Sequence, residues 1–320
     1  MDQMGFSMKQ IDLIIPAYNE EDCVEELARR LKLVFKSESS YNFRVLIIEN
    51  GSTDSTWEKC QKISQDDSRF KIIKLSRNFR MDGGLTAGLN YASGDACVFM
   101  TADLQDSPEY VSDFIREWEK GFENIYGVVT KREGVNIIRR INSKLFYWLA
   151  KKLTQNRFPE NASDFRLLDK KAFLAIKSMQ ERNRFVRGLS SWVGFKSKGI
   201  PVIREQRFGG KSNADTAKVL DLAIKGILAY SYLPLRLLGV VGISSIFLSI
   251  ALIFFLAILW IYYGVPFAGF GSLIALLLFL FGVTFFMIGI LSEYLGLIYE
   301  EVKQRPNFVV TTELGISNEK

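Results

Sequence analysis

Histidine is absent from all 320 residues. That removes the commonest general base, phosphoryl carrier and metal ligand, so any catalysis must draw on carboxylates, Lys, Arg or a bound metal. Cysteine is scarce: Cys23, Cys60 and Cys97 form no CxxC pair and are odd in number. They indicate neither a disulfide framework nor a zinc site, and they fit a reducing compartment. Charge is missing from one long stretch, since Leu237 to Ser292 contains no Asp, Glu, Lys or Arg. An apolar signal segment is also missing from the N-terminus, where Met1 to Gln10 is polar, so any membrane insertion is expected from the C-terminal third.

What is present begins with a formal net charge of +6. No compact basic motif or stacking platform of a nucleic-acid module accompanies it, so an anionic membrane surface is the expected partner and nucleic acid is not. Strand-sized apolar runs alternate with helical patterns through the first 130 residues, the signature of parallel βαβ units. Ile11 to Pro16, Phe43 to Glu49, Lys71 to Ser76 and Ala96 to Thr101 read as strands. Glu21 to Ser37, Asp54 to Asp66 and Gly83 to Ala92 read as the helices between them. In such sheets ligands bind beyond the carboxyl ends of the strands.

Leu237 to Tyr263 and Phe267 to Ser292 each exceed the roughly 20 apolar residues that cross a bilayer core, and two transmembrane helices are expected. Gly264, Val265 and Pro266 join them in an uncharged turn, whereas Lys211, Lys218, Lys225, Arg236, Lys303 and Arg305 lie on the other flanks. The positive-inside rule then puts the turn outside and both large flanks in the cytoplasm. Gly239, Gly242, Gly282 and Gly289 would permit close helix packing and a homo-oligomer. Arg139 to Lys152 and Ala214 to Tyr232 each mix an apolar face with basic residues, as an interfacial helix or a helix packed on the domain core would.

Polar clusters follow the strands. Pro16-Ala17-Tyr18-Asn19-Glu20 closes the first, and Glu49-Asn50-Gly51-Ser52-Thr53-Asp54 closes the second. Each alone is equally what a turn and helix start require. Together they offer carboxylates and amides, that of Asn50 included, suited to a ribose and a base edge. Thr101-Ala102-Asp103-Leu104-Gln105-Asp106 follows the fourth strand, and a spacing of two puts Asp103 and Gln105 on one face if the segment stays extended. Such oxygen ligands suit Mg2+ or Mn2+ held jointly with a diphosphate, although a solvated helix N-terminus is the other reading.

In order, these segments resemble the family 2 GT-A glycosyltransferases. So do Ser76-Arg77-Asn78-Phe79, Asp164-Phe165-Arg166-Leu167, Phe185-Val186-Arg187-Gly188 and Gly210-Lys211-Ser212. The similarity is strongest to the branch of dolichol-phosphate mannose synthases and bacterial polyprenyl-phosphate glucosyltransferases, and it covers roughly residues 10 to 305. The resemblance implies an α/β, Rossmann-like GT-A domain over 1–212. A juxtamembrane amphipathic helix over 213–236, transmembrane helices over 237–263 and 267–292 and a cytoplasmic tail over 293–320 follow. It places Pro16, Tyr18, Glu20 and Asp54 around the nucleoside and Asp103 and Gln105 on the metal. It leaves Arg132, Arg166, Arg187 and Lys211 for the diphosphate and the lipid phosphate, a task suited to the guanidinium fork. Arg207 and Lys211 precede the first span closely enough to reach headgroup depth. The family usually has Asp where Thr101 stands, Gly-Lys where Arg80 and Met81 stand, and an aromatic near Ala214.

The implied reaction moves a hexose, with glucose from UDP-glucose the leading choice, onto undecaprenyl phosphate at the inner membrane. A phosphate monoester is largely dianionic at neutral pH and needs no strong base, so direct displacement with inversion is expected. Asp164 is the carboxylate expected to orient the acceptor or to act as base, and Asp103 is expected to be essential. A polysaccharide synthase would carry more spans to build its channel. An inactive membrane-tethered binding module is the non-enzymatic alternative.

Overall fold

The computed structural model describes residues 8–132, 162–182, 184–205, 233–264 and 269–316. The chain divides into two compact units, one of residues 1–215 with 305–320 and one of residues 216–304.

The first unit is built on one eight-stranded sheet. Its strands are β1 (Gln10–Ala17), β2 (Asn42–Glu49), β3 (Phe70–Leu75), β4 (Ala96–Phe99), β5 (Asn124–Arg132), β6 (Ala162–Asp169), β7 (Ser197–Arg204) and β8 (Val310–Leu314). Their spatial order is β7-β5-β6-β4-β1-β2-β3-β8. The pairs β1–β2, β2–β3, β1–β4 and β5–β7 are parallel, whereas β4–β6, β5–β6 and β3–β8 are antiparallel. The expected parallel units are therefore the centre of a mixed sheet.

Continuous apolar runs make the central strands, because helices cover both of their faces. On one face Ile11, Leu13, Ile15, Val45, Ile47 and Val98 join a core with α1 (Val24–Ser37) and α4 (Tyr110–Glu119). Helix α1 supplies Val24, Leu27, Ala28, Leu31, Val34 and Phe35, a helical stripe of apolar side chains. Helix α2 (Thr56–Asp66) adds Cys60 and Ile63 to the same face. On the other face lies α3 (Arg80–Tyr91), which approaches β1 through glycine: a Cβ on Gly88 would sit 2.1 Å from Ile14 Cγ2, and one on Gly84 would sit 2.8 Å from Pro16 Cβ. Helices α5 (Lys170–Ser178) and α6 (Val186–Trp192) also belong to this unit. A buried charge fixes the entry to β4, where Asp12 accepts the Arg44 fork at 2.9 and 2.6 Å and the Ser93 and Gly94 amides at 2.8 Å each.

The order of strands creates the site. The chain moves outward from β1 through β2 to β3, then returns to place β4 on the other side of β1. The loops after β1 and β4 separate there, leaving the crevice in which open α/β sheets bind ligands.

The second unit contains α7 (Leu233–Tyr263) and α8 (Phe270–Lys303). Val240–Tyr263 and Phe279–Lys303 are each long and apolar enough to cross a membrane, and neither is buried within the protein. That absence of cover separates them from core helices of a soluble fold and marks the protein as membrane-associated. Helix α8 runs past Ser292 because nothing breaks it before Gln304, whose φ of 50° is left-handed and which precedes Arg305-Pro306. The expected tail over 293–320 thus begins as helix and ends as a strand of the sheet.

The interfacial segment at 139–152, residues 213–232 of the expected juxtamembrane helix, and Arg207 and Lys211 lie outside the described residues.

Candidate active site

The loops after β1 and β2 are zipped together by short-range polar chemistry. Asn19 takes a positive φ of 54°, which turns its amide toward the second loop. Its N–H donates to Ser52 Oγ at 3.1 Å, and its Oδ1 accepts the Thr53 amide at 2.9 Å. The Glu20 amide donates to Thr56 Oγ1 at 2.9 Å. Asp54 Oδ1 accepts both the amide and the hydroxyl of Thr56, and its Oδ2 accepts the Glu21 amide at 3.3 Å. Tyr18, Glu20 and Asp54 therefore meet at neighbouring strand ends, all half-buried.

Asn50 bridges to the loop that follows β3. Its Oδ1 accepts the Phe79 amide at 2.9 Å and its Nδ2 donates to the Arg80 carbonyl at 2.9 Å, pinning the loop that enters α3. Gly51 lets that loop approach: with φ at 69°, any Cβ would lie 2.6 Å from the Arg77 carbonyl carbon. Glu49 is fully buried, and its Oε1 accepts the Ser52 amide while its Oε2 has no donor.

Beyond β4, the Met100 amide still pairs with the Ile14 carbonyl at 3.1 Å, and then the chain turns. The segment does not stay extended, because Leu104 takes φ of 58° and the Gln105 amide folds back onto Asp103 Oδ1 at 3.3 Å. Thr101 Oγ1 donates to the same oxygen at 2.7 Å, so the residue that stands where the family has Asp braces Asp103. Burial, with Glu20 and Asp103 nearby, pushes the Cys23 thiol up to about 12, which makes the thiol inert and places it beside both loops.

Asp106 is almost completely buried and accepts Arg204 Nε and Nη2 at 3.2 and 3.1 Å, with Ser163 Oγ at 3.2 Å. Ser107 Oγ donates to Glu205 Oε1 at 2.7 Å, and the Glu205 amide donates to the Gln105 carbonyl at 3.0 Å. The end of β7 is thereby bound to the acidic loop. Sequence reading did not select Arg204, whose only local signal is a short apolar alternation ending in a basic residue.

The third cluster lies on β6 and α6. Arg187 closes its fork on Asp164, with Nε 2.7 Å from Oδ1 and Nη2 bonded to Oδ2. Burial alone would raise the Asp164 carboxyl, but Arg187 first, then Arg166 and Arg204, hold it below its ordinary value. Arg166 is 2% exposed, donates Nη2 to the Ser163 carbonyl at 3.0 Å and leaves Nε without an acceptor. Burial lowers its pKa to about 10 despite Asp164. Arg132 ends β5 opposite Arg204 in the β5–β7 register.

Polar loops at a switch point, an acidic turn after β4 and a basic cluster on β6 and α6 follow one another along the chain, and residues 12–176 match the model of glycosyl transferase family 2. The chain belongs to glycosyl transferase family 2. A relative, the uncharacterized glycosyltransferase YkcC of Bacillus subtilis, is 36% identical over 97% of this chain and 96% of its own. The bactoprenol glucosyl transferase derived from the SfII prophage of Shigella flexneri is 32% identical over 94% of this chain and 97% of its own. Among solved structures, glucosyl-3-phosphoglycerate synthase of Mycobacterium tuberculosis, in complex with Mn2+, uridine diphosphate and phosphoglyceric acid, superposes with a TM-score of 0.52. It has 14% identity over 69% of this chain and 76% of that one, a likeness of fold that identifies the sheet as GT-A.

Proposed function

We propose that this family 2 enzyme transfers glucose from UDP-glucose to a polyprenyl phosphate, on the cytoplasmic side of the membrane that its two apolar helices cross. The observation that carries the reading is the extent of the similarity to a bactoprenol glucosyl transferase, which covers 94% of the chain and so includes both helices as well as the sugar-transfer fold.

In this reading Pro16, Tyr18, Glu20 and Asp54 surround the nucleoside, and the acidic loop faces the diphosphate. Among the described residues no three Asp, Glu or Cys side chains converge to hold a metal. Asp103 and Gln105 instead offer one carboxylate and one amide oxygen, a donor set that fits Mg2+ or Mn2+, which complete their shell with phosphate oxygens and water. Such an ion, when bound, neutralises charge on the leaving diphosphate.

Transfer forms a bond from a phosphate oxygen of the acceptor to the anomeric carbon and breaks the bond from that carbon to the diphosphate, releasing UDP. One displacement inverts the anomeric centre. The acceptor phosphate has its second pKa near ~6 and is its own nucleophile. Asp164 is weakly basic because its pKa is held down, so it serves better as the anchor of Arg187 than as a proton acceptor. Arg187 and Arg166, with Arg132, Arg207 and Lys211, would meet the donor and acceptor phosphates. A lipid acceptor cannot leave the hydrocarbon cheaply, so tethering brings the cleft to the phosphate.

Membranes containing the protein are expected to move radiolabel from UDP-glucose into an extractable lipid when polyprenyl phosphate is supplied. Label found only in water-soluble polymer, or only in free glucose, would overturn the reading.

A further inference from the structure

Asp82 lies in the first turn of α3, outside every motif the sequence singles out. Its Oδ1 accepts the Val186 N–H at 2.9 Å, across 104 residues of chain. Val186 opens α6, and Phe185 before it has no side chain able to cap a helix, so Asp82 supplies from another element the acceptor that the helix start lacks. One residue further on, Arg187 closes on Asp164. The charged groups around Asp82 are Asp164, Arg187 and Arg184, and burial pushes its carboxyl up to about 6 in spite of the Val186 amide.

A helix of 7 residues has little stability of its own, so its first turn stays where tertiary anchors hold it. That first turn carries Arg187. We propose that Asp82 is a positioning residue for sugar transfer: by holding the first N–H of α6 it fixes the direction from which Arg187 meets Asp164. The inference rests on the reading of Asp164 and Arg187 as groups of the acceptor side, and goes beyond it by naming what sets their geometry.

Without the acceptor, the start of α6 loosens and Arg187 no longer closes on Asp164. Burial of Asp164 is then opposed only by Arg166 and Arg204, and its pKa rises. Asn keeps the acceptor oxygen and should keep the geometry.

The test uses the full-length protein in detergent, with Asp82→Ala, Asp82→Asn and Asp164→Asn side by side. Hydrogen exchange over residues 185–192 should accelerate in Asp82→Ala and stay as in the wild type in Asp82→Asn. Asp82→Ala should lower kcat by about tenfold or more, shift the acid limb of its pH profile upward and leave the KM for UDP-glucose within about twofold. Asp82→Asn should retain most of kcat with no upward shift. Unchanged exchange in Asp82→Ala would overturn the inference, as would an unmoved pH profile in that variant or equal losses of rate in the two Asp82 variants. Full activity in Asp164→Asn would instead remove the underlying reading of Asp164, whatever the exchange data show.

Discussion

Asp106 and Asp164 both face arginine, yet burial wins at Asp106 and raises its carboxyl, whereas the arginines win at Asp164. The difference is in the partners: one fork at 3.1 and 3.2 Å for Asp106, and a closer fork with two further guanidinium groups for Asp164. In the proposed function Asp103 faces the diphosphate through its oxygens, so Asp103→Ala is expected to cut transfer by about a hundredfold or more. The same variant should melt like the wild type without ligand and lose the extra thermal stabilisation that Mn2+ gives in the presence of UDP. Retained stabilisation by Mn2+ and UDP would remove Asp103 from the metal. Asp82 makes a pH prediction. A carboxyl whose folded pKa is raised from 3.8 to about 6 contributes stability that is fully present below the lower value and is lost as pH rises through the higher one. Asp82→Asn should therefore gain stability relative to the wild type between about pH 4 and pH 7, by on the order of 3 kcal/mol at most. Thermal melts of both proteins across that range check the sign.

At the scale of elements, α3 shows packing overriding helix propensity. Replacing a mid-helix glycine by alanine ordinarily favours the helix by about 1 kcal/mol. At Gly88 the added methyl would meet Ile14, a fully buried side chain, at 2.1 Å. Gly88→Ala is expected to destabilise by about 1–3 kcal/mol instead, read as a lowered melting temperature. Strand β8 makes a second case. It covers the edge of β3 in an antiparallel ladder, Thr311 Oγ1 reaches the Lys74 carbonyl at 3.2 Å, and Tyr91 donates to Glu313 at 2.5 Å. Removing residues 309–320 uncovers that edge, and the truncated protein should melt lower and aggregate sooner on heating. A truncated protein that melts and stays soluble like the full chain would show that β8 contributes nothing.

For the whole molecule, the exposed apolar faces of α7 and α8 require a solvent other than water. Phe247, Phe254, Phe279 and Phe285 are each more than 60% exposed, far more apolar surface than an aqueous protein tolerates. The uncharged turn at Gly264 and the basic residues at Arg236, Lys303 and Arg305 set the expected orientation. In intact cells Gly264→Cys should react with an impermeant thiol reagent, and Asn318→Cys should react only after permeabilisation. The reverse pattern would invert the proposed topology and put the active site on the wrong side for its nucleotide-sugar.

Hydrophobic periodicity and turn chemistry are local, and the sequence alone determined what depends on them. The four central strands, the helices between them, the two span-length helices and the polar clusters at strand ends could all be read from neighbouring residues. Even there the condition for Asp103 and Gln105 to share one face, an extended segment, is not met, because Leu104 adopts a left-handed turn that no residue type there demanded. Only the tertiary structure decided where the later strands go. It brought Val310–Leu314 to β3, Arg204 to Asp106 across 98 residues, Arg187 to Asp164 and Val186 to Asp82. It also showed that Asn50 clamps the Phe79 and Arg80 backbone. Such pairings are chosen by what else is buried nearby and by which donors would otherwise lack an acceptor, and neither condition leaves a pattern in the adjacent sequence.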